Sequence, residues 1–289
     1  MNKPHRDSIY VVNAEVLDHQ HLGGEQHILR LQADDIARHA QAGSFVHLTC
    51  DPQLPMRRPF SIMRVAANKG WIELLYKSVG TGTALLARRE IGEHLSVMGP
   101  IGHGFTVHEK YSRPLLIGGG VGIPPMIFLA DSLRGGDFQP FVIMGSEVPF
   151  PFTARPSTIM VPGMPDGVIA CMPLLEDWGI ASRLASLQGY AGTHAGYVTD
   201  LARHWLDALD SDVRTKVEVF ACGPHPMLEA VAKLAREYDL PCQVSLEEFM
   251  ACAVGGCAGC VVEVQTDSGP AMKRVCVDGP VFDAYRVFN

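Results

Sequence analysis

Apolar and polar positions change rhythm twice along the chain. From Ile9 to about Val107 they alternate in short runs broken by turn residues, with little helical periodicity. Residues 10–16, 27–31, 45–49, 58–64 and 71–76 are such runs, and period-two alternation over that length predicts half-buried strands. Residues 83–89 are the one short helix candidate, and residues 93–98 close the set. A string of short strands with turns between them predicts a small antiparallel β-barrel.

The pattern then lengthens. Residues 114–117 form a continuous apolar run, Gly118-Gly119-Gly120-Val121-Gly122 a glycine turn, and residues 124–130 a helix opening on prolines, whose missing N–H groups cost nothing there. Residues 141–144 predict a second buried strand, 168–172 a third, and 217–221 another, followed by the turn Cys222-Gly223-Pro224 and a helix over 226–238. A further helix is expected to run to about Leu209. Strand, turn and helix in repetition predict an α/β domain with a mostly parallel sheet. After about Leu240 the grammar changes again: residues 261–265 read as a strand, 267–270 as a turn and 273–277 as a returning strand. The expected fold class is therefore β plus α/β, in three segments: 1–108, 109–240 and 241–289.

Composition narrows the partners. The chain has 289 residues, 47% hydrophobic, with a formal net charge of −7, and Arg57-Arg58 and Arg88-Arg89 are only pairs. No Lys/Arg cluster could neutralise successive phosphates, so a nucleic-acid partner is not expected. The N-terminus lacks the apolar core of a signal peptide, and the longest uncharged stretch, 114–130, is too broken by Gly and Pro to span a membrane. A reducing cytoplasm is the expected setting, where eight cysteines point to metal or redox chemistry before disulfides.

Four of those cysteines carry the strongest signal. Cys252, Cys257 and Cys260 stand as Cys-x4-Cys-x2-Cys among Gly255, Gly256 and Gly259, with Cys276 further on. Glycines let backbone N–H groups come close to an object that the loop wraps, and the expected hairpin returns Cys276 beside Cys260. Structural zinc sites usually present two Cys-x2-4-Cys knuckles, whereas this run is the plant-type [2Fe–2S] pattern. The spacing favours the cluster; zinc remains the alternative.

The other motifs are weaker alone. Gly118-Gly119-Gly120-x-Gly122 between strand and helix can admit a pyrophosphate, and Cys222-Gly223-Pro224 falls at the same carboxyl edge, where open sheets bind ligands. Arg58-Pro59-Phe60-Ser61 puts a guanidinium, a ring and a hydroxyl on one barrel strand, and Gly82-Thr83 opens the short helix, with Thr83 expected to cap it. The twelve histidines show no metal-binding pair on a clear helix face.

Taken in order, Arg58-Pro59-Phe60-Ser61, Tyr76-Lys77, Gly82-Thr83, Gly99-Pro100, the glycine turn, Cys222-Gly223-Pro224 and the clustered cysteines resemble the ferredoxin-NADP reductase superfamily. Residues 245–260 and 276–282 narrow this, being similar to the iron–sulfur electron-transfer subunit of type B dihydroorotate dehydrogenase. The resemblance implies a FAD-binding barrel, an NAD(H)-binding α/β domain and a C-terminal [2Fe–2S] subdomain. FAD would be held by Arg58, Pro59, Phe60, Ser61, Leu75, Tyr76, Lys77, Gly82 and Thr83. The nicotinamide dinucleotide would meet Gly118, Gly119, Gly120, Gly122, Cys222, Gly223 and Pro224, and the cluster Cys252, Cys257, Cys260 and Cys276. Much of the superfamily has Tyr where Phe60 stands.

It further implies electron transfer from NADH through FAD and the cluster to an FMN-containing dihydroorotate dehydrogenase catalytic subunit, as a heterotetramer in pyrimidine biosynthesis. No side chain of this chain is needed as a proton-transfer catalyst. A reductase subunit serving ferredoxin, hydrogenase or sulfur reductase shares the architecture, and a zinc-stabilised regulatory binding protein is the non-enzyme alternative. Two expectations come from the residues themselves. Glu147, after the strand over 141–144, favours NADH by accepting from the ribose 2′-OH, and the uncharged loop Phe249, Met250, Ala251, Ala253, Val254 and Ala258 offers a docking patch.

Overall fold

The computed structural model describes residues 8–288, which divide into two compact units. One comprises residues up to Gly104 together with Ser245–Phe282, the other Phe105–Val244 with the residues from Asp283 onward.

The first unit contains a closed barrel. Its strands are β1 (Tyr10–Leu22), β2 (Gln26–Gln32), β3 (Phe45–Leu48), β4 (Arg58–Ala66), β5 (Trp71–Lys77) and β6 (His94–Ile101). They close in the order β1-β2-β5-β4-β3-β6, each neighbouring pair antiparallel. Alternation does what the sequence implies: Ala14, Val16, Leu29, Leu31, Ile72 and Leu74 point inward and are fully buried. Glu73 is buried too, clasped by Arg30 at 2.6 Å and Arg64 at 3.0 Å. Both guanidiniums lie over the Trp71 ring, so the buried carboxylate is compensated from two sides. Two short helices interrupt the strands, α1 (Asp34–His39) and α2 (Thr81–Leu86). The first was not expected; six residues are too few to show a period, although Asp34 and Asp35 at its start and Arg38 and His39 at its end suit the helix dipole.

The second unit is built on a sheet whose strands include β7 (Arg113–Gly119), β8 (Phe141–Gly145), β11 (Ala181–Ala185), β12 (Val217–Cys222) and β13 (Cys242–Ser245), neighbours in the order β11-β8-β7-β12-β13. The β11·β8, β7·β8 and β12·β7 pairs are parallel. Between β8 and β11, β9 (Arg155–Pro156) and β10 (Ala170–Cys171) form a separate antiparallel pair, followed by α4 (Pro173–Asp177). The helices α3 (Ile123–Ser132), α5 (Val198–Asp207), α6 (Ser211–Arg214) and α7 (His225–Glu237) also belong to the unit. In α5, Val198, Leu201, Ala202, Trp205 and Leu206 are buried, the spacing of one helical face. The strand expected over 168–172 is thus corrected. Only Ala170–Cys171 is extended, and the outer strand of the parallel sheet is β11, whose Ser182 and Arg183 hide it in the apolar pattern. Arg183 is buried because its guanidinium donates to the carbonyls of Ser182 and Ile159, both at 2.7 Å.

Within the first unit, the C-terminal stretch forms the hairpin β14 (Val261–Thr266) and β15 (Gly269–Arg274), then α8 (Val275–Asp278). Cys276 therefore sits on a one-turn helix and not on a returning strand. The strand ends where the Arg274 N–H donates to the Asp278 carboxylate at 2.8 Å, which draws the chain into a turn. This stretch is tied to the end of the barrel by the His103 N–H donating to the Gly279 carbonyl at 2.7 Å.

Candidate cofactor sites

The four cysteines lie in the first unit as two pairs, Cys252 with Cys257 and Cys260 with Cys276. Cys260 and Cys276 are buried with their sulfurs 3.3 Å apart, brought together because the hairpin pairs Val261 with Arg274. Cys257 is exposed and Cys252 half-buried. Burial works to raise the Cys252 thiol, but N–H groups of Val254, Cys257 and Gly256 and the Cys257 thiol outweigh it, bringing the pKa down to about 7. Burial, then the Cys260 thiol, pushes Cys276 up to about 12. Positive φ at Ala253 (56°), Gly255 (79°) and Ala258 (54°) curls the loop so that successive N–H groups face inward. Two paired thiols and N–H donors aimed at sulfur suit a [2Fe–2S] cluster, whose charge is spread over thiolates that accept such bonds.

Around this loop the apolar side chains divide. Phe249 is 94% exposed and Val254 51%, whereas Ala253 is buried at 1%. Ala251 and Ala258 are exposed and Met250 is half-buried.

On the barrel, the sequence-predicted residues lie on β4, β5 and α2. Arg58 is exposed and donates to the carbonyls of Met56 and Arg57. A Cβ at Gly82 would come within 3.5 Å of Arg58 Nε, so the guanidinium lies along the start of α2. Phe60 is buried, its ring edge-on to Tyr76 at 5.6 Å; Pro59, Ser61 and Lys77 are half-buried and Leu75 buried. Tyr76 donates to His19 Nε2 at 2.9 Å, while His19 Nδ1–H donates to the Arg89 carbonyl at 2.8 Å. Burial holds the Tyr76 phenol well above its ordinary pKa, so it stays neutral. Thr83 does not cap α2. Gly80 occupies the cap, and the Thr83 hydroxyl reaches back, accepting from the N–H groups of Val79 (3.0 Å) and Gly80 (3.2 Å). The hydroxyl is thereby committed to its own turn. Arg58, in no ion pair among the described residues, leaves its charge available at the start of α2 beside Gly82.

In the second unit, β7 and β12 run side by side with Gly118 opposite Cys222. Their two turns touch: a Cβ on Gly122 would lie 2.2 Å from the Cys222 carbonyl oxygen. Gly120, at φ +55°, has nothing within 4 Å of its Cβ position, so the backbone there is open to a ligand. Gly119 is buried and Gly223 lies against it, and Pro224 is exposed at the start of α7. Cys222 is fully buried at the carboxyl end of β12, and Glu147 is exposed two residues beyond β8, on the same edge of the sheet.

Some of the neighbourhood was not legible beforehand. Arg57 donates to the carbonyls of His47 (3.1 Å) and Ser96 (2.7 Å) and to the Ser96 hydroxyl (2.7 Å), locking β3 to β6. His47 is fully buried in β3, and burial followed by the Arg57 charge lowers its pKa. No spacing signals these contacts, because cross-strand register creates them.

Comparison with known proteins agrees with the geometry. Residues 247–288 match the iron–sulfur cluster binding domain of dihydroorotate dehydrogenase B, and residues 13–105 match the oxidoreductase FAD-binding domain. The chain is 33% identical over 281 residues to the dihydroorotate dehydrogenase B (NAD(+)) electron transfer subunit of Desulforamulus reducens, covering 96% of this chain and 98% of that protein. It is 33% identical over 275 residues to the subunit of the same description from Bacillus mycoides, covering 93% and 95%. Among solved structures, a chain of an NADH-dependent reduced ferredoxin-NADP oxidoreductase superposes with a TM-score of 0.76 at 24% identity, over 96% of this chain and 90% of that one. A ferredoxin NADP+ reductase from Neisseria gonorrhoeae gives 0.58 at 13% identity, over 81% and 92%. At those identities the structural likeness concerns the fold.

Proposed function

The chain belongs to the family of dihydroorotate dehydrogenase B (NAD(+)) electron transfer subunits, and on that footing we propose a division of labour among its residues. Residues 1–108 hold FAD, 109–240 NAD(H), and 241–289 a [2Fe–2S] cluster. The protein passes electrons between NAD(H), FAD and the cluster, to or from a subunit that oxidises dihydroorotate. NADH gives up two electrons as a hydride, whereas a [2Fe–2S] cluster takes one at a time, and FAD when bound supplies the exchange between them.

The chain's own residues position these groups. Arg58 binds the FAD diphosphate, and Phe60 and Tyr76 offer the ring surface beside it. Pro59, Ser61, Leu75, Lys77, Gly82 and Thr83 shape that site. Gly120 and its neighbours Gly118, Gly119 and Gly122 admit the dinucleotide phosphates, and Cys222, Gly223 and Pro224 line the same edge. Cys252, Cys257, Cys260 and Cys276 would hold the cluster through their thiolates. Phe249, Val254, Ala251 and Ala258 form the apolar rim on which the catalytic, FMN-containing subunit docks, in a heterotetramer. The thiol set needs a reducing compartment, which sets the assembly in the cytoplasm. Among the described residues no helix is long and apolar enough to cross a membrane.

The observation that carries this reading is the set of N–H groups from Val254, Gly256 and Cys257 turned onto Cys252. It is tested by the spectrum and metal content of the purified chain. Flavin absorbance with a reducible iron–sulfur signal is expected; a colourless protein with zinc would defeat the reading. Mixing it with the dihydroorotate-oxidising subunit of the same organism should give a stable complex in which dihydroorotate reduces NAD⁺. No co-elution and no NADH formed, with both proteins loaded, would point to another acceptor.

A further inference from the structure

The barrel carries a group of imidazoles with no part in the proposed electron path. His21 at the end of β1 stands directly opposite His27 on β2, and His19 lies two residues before His21 on the same face. The His21 and His27 rings are 4.9 Å apart and nearly perpendicular, with their Nδ1 atoms separated by 3.1 Å.

The two rings differ in freedom. His27 is buried at 6% exposure, stacked on Tyr76 at 4.9 Å, and its Nε2–H donates to Ser78 Oγ at 3.3 Å. Ser78 in turn donates to the Thr83 carbonyl at 3.2 Å, so its oxygen lone pair is what His27 meets. That bond fixes the tautomer: the proton is on Nε2, and the Nδ1 lone pair is presented outward. Metal-ligating histidines are oriented in the same way, the far nitrogen held by an oxygen. His21 is exposed and able to turn. His19 is excluded as a ligand because both of its nitrogens are engaged, by Tyr76 and Arg89.

We propose that His21 and His27 form a two-imidazole site for a divalent transition-metal ion, with water completing the coordination. At metal–nitrogen distances of about 2.0–2.1 Å, nitrogens 3.1 Å apart subtend roughly 100° at the metal, between the octahedral and tetrahedral angles. Loading moves the His21 proton from Nδ1 to Nε2 by way of solvent, which frees its Nδ1 lone pair for the ion. No third His, Cys, Asp or Glu side chain joins His21 and His27 in a metal-binding group among the described residues, so water fills the remaining positions and the affinity is modest. Imidazole donors rank the ions Cu²⁺ above Ni²⁺, above Co²⁺, above Mn²⁺.

The test is equilibrium dialysis of Ni²⁺ against the holoenzyme, with iron and flavin measured before and after so that uptake by the cluster thiols is recognised. One Ni²⁺ per chain is expected, with about tenfold or weaker affinity in His21→Ala and no change in His94→Ala, another exposed barrel histidine. With Cu²⁺, electron paramagnetic resonance should show coupling to two nitrogens in wild type and to fewer in His21→Ala. Because His21 is exposed, its loss does not threaten the fold, and unchanged iron and flavin in the variant verify that. Absence of uptake by the wild type, or equal uptake by wild type and His21→Ala, overturns the proposal and leaves the pair as a hydrogen bond between two rings.

Discussion

The carbonyl of Cys222 occupies the space that a side chain on Gly122 would need, with only 2.2 Å between the oxygen and the Cβ position. The turns after β7 and β12 can approach only because residue 122 has no side chain. Gly122→Ala should push them apart and lower the rate of flavin reduction by NADH about tenfold or more, because misplacement of a bound reactant is costly. Flavin and iron contents should hold, since those groups are assigned to the other unit. Stopped-flow reduction of the intact variant checks this, and an unchanged rate would place the dinucleotide elsewhere.

Replacing Cys257 with Ser should empty the cluster site and spare the flavin. Cys257 is exposed, and its thiol also supports Cys252, so the variant loses a ligand and a donor together. Iron analysis should fall from about two per chain toward none, with NADH still bleaching the flavin. Simultaneous loss of flavin would mean that the two sites are not separable.

Arg58→Ala tests the FAD assignment. Its guanidinium is exposed and makes only local carbonyl bonds, so its removal costs the fold little. Flavin retention on dilution should weaken about tenfold, the order expected for a charge-assisted phosphate contact. Unaltered retention would move the diphosphate away from α2.

The cofactor preference should turn on Glu147. As an exposed carboxylate just past β8, it can accept from a ribose 2′-OH and repel a 2′-phosphate. Glu147→Arg should shift kcat/KM toward NADPH, and a wild type with equal kcat/KM for both cofactors would refute the role.

A pH effect on stability follows from Glu176. Its carboxylate is partly desolvated, which raises its pKa, but the Thr158 N–H and hydroxyl and the Ser157 hydroxyl overcome this and hold it at about 2 against 4.5. A folded pKa below the unfolded one gives stability that is full above 4.5 and is lost as pH falls toward 2. Glu176→Gln should therefore be less stable at neutral pH by roughly 1 kcal/mol, discounted for solvent screening. Chemical denaturation at several pH values should show the two proteins converging in acid.

The sequence made the barrel legible because each strand keeps one face apolar: Leu29 and Leu31, or Ile72 and Leu74, mark their strands unaided. It made the thiol set legible because Cys252, Cys257 and Cys260 are neighbours in the chain. It failed at β11, where Ser182 and Arg183 are buried with partners supplied by distant backbone, and the apolar residues 168–172 drew the assignment instead. Cys276 was expected on a strand because its neighbours Val275 and Val277 are β-branched, yet the Asp278 carboxylate turns the chain into α8. The His21–His27 pair was invisible for another reason. Only the register of β1 on β2 makes residues 21 and 27 opposite, and a window along the sequence cannot see it.

The unit that contains the barrel is assembled from two stretches, and the second is made last. During synthesis β1 can pair with β6, and the barrel can close, long before Gly279 exists to receive the His103 N–H. The strands β7, β8, β11, β12 and β13 also exist by then. A chain halted near Leu240 would hold a finished barrel and four of the five sheet strands named above, but none of the four clustered thiols. Such a truncated product should be able to bind flavin and consume NADH while lacking the relay that delivers its electrons onward, so completion of the last fifty or so residues separates an electron donor to its partner from a protein that can only spend reductant.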